Sequence, residues 1–169
     1  FFLPDHHVLC MAEVCTQTQH NLLTPRGAEV RDARLWAKVI DEARVRFGAR
    51  TDVLINSHNW PVWGQDGVHQ FMLEQRDIYK YVHDQTLRLA NHGMTIKEVG
   101  DALQEPDFAS DALHIRGNYG MLYFNARAVY QKYYGAFDGR AVDLNPLPPE
   151  AGGKRYLEAL GGEARVLEL

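Results

Sequence analysis

The architecture turns on Val53-Leu54-Ile55-Asn56-Ser57-His58-Asn59-Trp60-Pro61-Val62-Trp63-Gly64. Its first residues are apolar with β-branched members, which predicts a short buried strand. The polar residues and Pro61 that follow predict a loop. Upstream, Phe1 to Leu3 and Val8 to Ala12 are short apolar runs split by Pro4-Asp5-His6-His7, a turn composition, so a hairpin is expected. Thr16 to Gly27 has no clean periodicity and reads as an irregular loop. Leu35, Trp36, Val39, Ile40, Ala43 and Phe47 repeat at three and four, the buried stripe of a helix. Asp32 can cap its start, and Gly48 is a natural stop. Strand, strand, helix, strand describes an α/β layer with one edge missing.

After Trp63-Gly64 the periodicity becomes helical throughout. Val68, Phe71, Met72, Ile78, Tyr79, Val82, Leu89 and Ala90 trace one long amphipathic helix, with Asp84 and Arg88 as an i,i+4 pair. Asn91-His92-Gly93 ends it. Thr95 with Glu98 is a capping box that opens a short helix to Leu103. Met121 to Tyr134 is a further helix closed by Gly135. Asn145-Pro146-Leu147-Pro148-Pro149 is a rigid connector, followed by a helix over about 150–160 and another from near Gly162. No strand is expected beyond Trp63.

The 169 residues carry 18 Lys and Arg against 22 Asp and Glu, a net charge of -4. That mildly acidic balance argues against nucleic-acid binding by general charge attraction. No apolar run approaches the roughly 20 residues of a membrane span. Cys10 and Cys15 are too few for a disulfide framework or a cysteine-based zinc site. The chain opens on Phe1 without a Met, so it is expected to be a piece of a longer protein, which leaves the compartment open.

Eight histidines are scattered without an HExxH pair, and there is no GxSxG, Walker loop or GxGxxG. Three places draw attention. Glu13 ends a strand, as either an exposed strand end or a metal or base site. His58 follows a buried strand, at the edge where α/β folds place ligands. Gln19-His20-Asn21-Leu22-Leu23-Thr24-Pro25-Arg26-Gly27 gathers an imidazole, an amide, a hydroxyl and a guanidinium. Arginine suits an oxyanion because its fork donates several hydrogen bonds at once. Spacing alone leaves the function of these residues open.

The strings Ala12-Glu13 and Gln19 to Asp32, Ser57-His58-Asn59-Trp60-Pro61-Val62-Trp63-Gly64, Gln75-Arg76-Asp77, His83 to Gly93, Arg116-Gly117-Asn118-Tyr119-Gly120 and Tyr134 to Gly139 resemble the alkyl sulfatases of the metallo-β-lactamase superfamily. The resemblance implies a mostly helical chain: residues 1–64 as an α/β remnant of a metallo-β-lactamase αββα sandwich, and 65–169 as an all-α dimerisation domain. It implies a hydrolase of alkyl sulfate esters with two zinc ions, a bridging zinc-bound water as nucleophile, and a homodimeric state. Glu13 and His58 match zinc ligands, and the HxHxDH motif and a second carboxylate are expected upstream of Phe1. Arg26 matches the sulfate-binding arginine. His20 is the candidate for protonating the leaving oxygen, and Asn21 and Thr24 for added hydrogen bonds to sulfate. One departure is Tyr123-Phe124-Asn125, where family members usually show Ser-His-Asn, so Phe124 stands in place of a substrate-facing histidine. The alternatives are a non-catalytic interaction module that retains Glu13 and His58 as remnants, and a superfamily hydrolase acting on another ester.

Overall fold

A computed structural model describes residues 1–169. A four-stranded sheet has the order β1-β2-β3-β4: β1 (Phe2–Leu3), β2 (Val8–Cys10), β3 (Val53–Ile55) and β4 (Val62–Trp63). The expected hairpin is present: Phe2 opposes Leu9 in an antiparallel pair. β2 and β3 are parallel, with Leu9 beside Leu54. A parallel pair needs a crossover, and helix α1 (Ala33–Phe47) supplies it. β4 returns antiparallel to β3, with Val53 opposite Trp63. It escaped the sequence reading because two residues after a proline are too few to show alternation.

The start of α1 follows its sequence signal, since Leu35 N donates to the Asp32 carboxylate at 2.9 Å. Its end comes at Gly48, as expected, but without a left-handed turn. Gly48 stays right-handed, at φ -52°, and the chain tightens into a 3-10 turn over Gly48–Arg50. The long helix α2 (Gln65–Asn91) lies along α1. On it Asp84 pairs with Lys80 and His83, and Arg88 turns to Gln85, so the expected Asp84–Arg88 pair is not formed. Lys80, one turn towards the helix start, takes the carboxylate instead. Helix α3 (Ile96–Ala102) opens on the Thr95–Glu98 capping box, with both reciprocal hydrogen bonds made. Helix α4 (Leu122–Tyr134) packs against α2 and α3.

The main core joins sheet and helices. Leu9 and Leu54 from the sheet, Ala37 and Ile40 from α1, and Val68, Met72, Ile78, Tyr79 and Val82 from α2 are all buried in it. Each fully buried large side chain contributes about 1.5–3 kcal/mol. A smaller cluster of Leu89, Val99, Leu103 and Ala126 joins α2, α3 and α4.

Chain packing separates two compact units, Phe1–Ala136 and Phe137–Leu169. The second holds α5 (Ala141–Leu144), which the sequence reading did not anticipate, with α6 (Pro149–Ala159) and α7 (Glu163–Leu167). None of these helices buries a residue, and Val142, Leu144, Tyr156, Leu160 and Leu167 are exposed. No helix of the chain is long and apolar enough to cross a membrane.

Candidate active site

Glu13 and His58 sit just beyond the carboxyl ends of the parallel strands β2 and β3, where open α/β sheets place ligands. The two turns are tied together, since Ser57 N donates to Ala12 O at 3.1 Å. Each turn holds a non-glycine residue at positive φ: Ala12 at 47° and Asn59 at 71°. Asparagine tolerates that region and alanine does not, at a cost of roughly 1–2 kcal/mol. The strained Ala12 thus adjoins Glu13 and the tolerant Asn59 adjoins His58, while a third such residue, His7 at φ 52°, lies in the β1–β2 turn.

Their side chains meet. His58 Nε2 lies 3.1 Å from Glu13 Oε1. An ionised carboxylate only accepts, so the imidazole N–H donates. That hydrogen bond holds the Glu13 carboxyl below its usual value, against a smaller opposing effect of burial. The charges of His20 and Arg31 act in the same direction as the bond. Both side chains are of metal-donor types, but no group of three such residues occurs in the chain. The pair fits one part of a metal centre and cannot complete one.

His58 also faces His20. A cavity of about 240 Å³ is lined by Thr18, His20, His58, Asn59 and Tyr119. The His20 ring lies between the Trp36 ring, at 5.6 Å, and the Tyr119 ring, at 5.2 Å. Its Nδ1 is 3.1 Å from the Asn21 carbonyl, which can only accept, so Nδ1 carries a proton. In the neutral ring Nε2 then holds the lone pair. His20 donates through Nε2 only when both nitrogens are protonated, which is the form that protonation of a leaving oxygen requires.

The remaining candidates are ordered by a residue outside the predicted set. Arg31 Nη1 donates to Asn21 O at 2.8 Å and to Thr24 Oγ1 at 3.2 Å. Arg31 also lines a second concavity of about 330 Å³ with Glu13, Val14 and Trp36. Arg26 is exposed, and its side chain has no hydrogen bond or ion pair within the chain. So Glu13, His58 and His20 are brought together, Asn21 and Thr24 are joined through Arg31, and Arg26 stands free at the loop tip.

The loop that carries His20 is held from the helical half. Tyr79 of α2 takes the His20 N–H on its hydroxyl at 2.9 Å. Gln75 of α2 donates to Thr16 O at 2.6 Å. Asn125 of α4 accepts from Leu22 N at 2.9 Å and donates to His20 O at 3.0 Å. Gly120 N donates to Gln19 O at 2.6 Å. Trp36 stacks on Tyr79 at 4.8 Å and donates to Val14 O at 2.5 Å. In the sequence, Trp36 and Tyr79 read only as members of apolar stripes.

Phe124 projects to the surface, 58% exposed, edge-on to Tyr123 at 5.0 Å. It is not among the residues that line the His20–His58 cavity.

An alkyl/aryl-sulfatase of Saccharomyces cerevisiae is 48% identical over 166 residues, covering 98% of this chain. An (R)-specific secondary-alkylsulfatase of Pseudomonas sp. is 46% identical over 99% of the chain, and a linear primary-alkylsulfatase of Pseudomonas sp. 39% over 99%. Residues 95–169 match the family described as alkyl sulfatase dimerisation. The chain is a relative of the alkylsulfatases. The solved structure of the stereoselective inverting sec-alkylsulfatase Pisa1 from Pseudomonas sp. superposes on 99% of this alkylsulfatase relative, with a TM-score of 0.94 and 46% identity. The chain spans about a quarter of the length of these proteins: 26% of the yeast sulfatase, 25% of each Pseudomonas sequence and 26% of the Pisa1 chain. The dimerisation match begins at Thr95, so it includes Tyr119, Gly120 and Asn125, which hold or line the His20 cavity.

Proposed function

We propose that the chain is part of a zinc-dependent alkyl sulfatase that hydrolyses alkyl sulfate esters to alcohol and sulfate. In this reading residues 1–64 form the C-terminal part of a metallo-β-lactamase-like catalytic domain. Residues 65–169 form the helical dimerisation domain of a homodimer. One observation carries the reading: Glu13 and His58 meet at 3.1 Å at the strand ends, beside the His20 cavity. The relatives' names supply the substrate class.

Glu13 and His58 would hold part of a two-zinc centre, with the other ligands outside this chain. When bound, such ions offset anionic charge and activate water near neutral pH. The residues of this chain do the rest. Glu13 contributes negative charge. Arg26, with no competing partner in the chain, reaches the nonbridging oxygens of the ester. Asn21 and Thr24 lie on the loop that Arg31 fixes, and add hydrogen bonds. His20, its backbone held by Tyr79 and Asn125, delivers a proton from its ring to the leaving oxygen of the ester.

The test is a substrate panel on the full-length protein. Secondary and primary alkyl sulfates are compared with phosphate and carboxylate esters of the same chain length. Release of sulfate, with zinc content reduced in His58→Ala, supports the reading. Absence of sulfate release, or zinc content unchanged in His58→Ala, rejects it. Light scattering checks the homodimer, and a monomer at micromolar concentration counts against it.

A further inference from the structure

We infer that the loop carrying His20 is backed by an internal water site, built by the side-chain amides of Gln19 on that loop and Gln75 on α2. Its ligand is a water molecule enclosed in the protein and shared between the loop and the helical half. Neither glutamine lines the His20–His58 cavity, so the site is separate from the candidate active site.

Gln19 is fully buried, and neither its Nε2 nor its Oε1 meets a hydrogen-bond partner among the protein atoms. Gln75 is fully buried too. Its Nε2 donates to Thr16 O at 2.6 Å and to His114 O at 2.9 Å, while its Oε1 has no protein partner. The two carbonyls fix which end of the Gln75 amide is the nitrogen. Both glutamines are tied to the same two stretches of backbone, since Gly120 N, six residues after His114, donates to Gln19 O. A buried amide without partners costs more than its hydrogen bonds would have contributed, so folded proteins pair nearly all of them, with protein or with water.

Donors and acceptors select the ligand. Gln19 Nε2 offers two N–H groups, and Gln19 Oε1 and Gln75 Oε1 both accept. A metal cation cannot accept from the N–H groups, and an anion without protons cannot donate to the oxygens. Water does both, and a buried water makes about three hydrogen bonds to groups of this kind. The loop has little freedom to find another solution. Its backbone lies so close to Gly120 that a Cβ there would fall 2.6 Å from the His20 carbonyl carbon and oxygen. Gln19 is therefore pinned with its amide inside the protein, and water satisfies what the chain does not.

The test uses the full-length protein and two measurements. A high-resolution crystal structure is expected to show water density within hydrogen-bond distance of both a Gln19 amide atom and Gln75 Oε1. An ordered Gln19 side chain with no such density beside it overturns the site. The second measurement is urea unfolding of Gln19→Met, which keeps the length of the side chain and removes its amide. If the amide holds a water, the variant takes partners from that water and the midpoint falls. If the amide is merely unpaired, its removal relieves a cost and the midpoint rises. A lowered midpoint supports the site, and an unchanged or raised one overturns it. Should Gln19→Met fail to fold, the density in the wild type still decides. Neither measurement uses an ester, so failure of the sulfatase reading and failure of the water site are separate results.

Discussion

The Asn125 side chain donates from Nδ2 to the His20 carbonyl at 3.0 Å, joining residues 105 apart in sequence. The same amide accepts from Leu22 N, so one buried side chain satisfies two backbone groups of the site loop. Asn125→Leu keeps the volume and removes both bonds. Two buried backbone groups then lose their partners, at about 1–3 kcal/mol each. The expected outcome is a loss of roughly 2–6 kcal/mol in urea unfolding. Asn125→Asp keeps the acceptor and loses the donor, so it should fall between wild type and Asn125→Leu.

Gly120→Ala places a methyl group against the Gln19 carbonyl oxygen and the His20 carbonyl. These are backbone atoms and cannot swing aside. The turn must move away from the loop, carrying Tyr119 with it. A lower melting temperature and reduced ester turnover are expected together. Gly117→Ala is the control, because a Cβ there meets its nearest atom at an ordinary 3.7 Å. It should melt close to wild type.

Arg26 and Arg31 should separate activity from stability. Full-length Arg26→Ala is expected to abolish ester turnover with a urea midpoint near wild type, since that side chain is exposed and makes no hydrogen bond or ion pair in the chain. Arg31→Ala removes the tether to Asn21 O and Thr24 Oγ1 and should lower both. Normal sulfate-ester turnover in Arg26→Ala ends its assignment as the clamp.

Asp41 predicts a pH dependence. Its carboxylate accepts from Arg76 at 2.9 Å and from Arg44 at 2.9 and 3.0 Å. The Arg76 bond, then the Arg44 bond, hold it below its ordinary value of 3.8. A carboxyl depressed in the folded state contributes stability above its unfolded value and loses it as pH falls through its folded value. Asp41→Asn should therefore cost up to about 1 kcal/mol at pH 7, small because the group is partly exposed. The gap to wild type should close as pH drops below 3.8. Urea titrations across that range measure it, and a constant gap would falsify the assignment.

Local signals were read correctly where the cause was local. The Asp32 cap and the Thr95–Glu98 box each lie within one helical turn, and both form. The hairpin at the start of the chain and the buried strand at Val53 followed from apolar runs and turn residues, whereas the parallel pairing of that strand with β2 had no local signal. Gly48 does stop α1, although it stays right-handed rather than entering the left-handed region open to glycine. Glu13 and His58 lie 45 residues apart, and no periodicity pairs them. Each stands out alone at a strand end, and only the resemblance joins them as ligands of one centre. Arg31, Asn125 and Tyr119 lie within the quoted strings but carry no role there, because their partners are backbone groups, a hydroxyl and a ring, which leave no pattern in side-chain spacing.

The fastening of the His20 loop has a consequence for assembly and for modularity. Its partners Gln75, Tyr79, Gly120 and Asn125 all come later in the chain, up to 105 residues away. Contacts so distant in sequence close late, because the entropy of ordering the intervening chain comes first. The loop should thus be among the last parts to order during synthesis, after α4 emerges. A chimera that grafted residues 1–64 onto a foreign helical partner would inherit Glu13, His58 and His20 but not their alignment. The part with the chemistry and the part with the helices therefore fold as one unit.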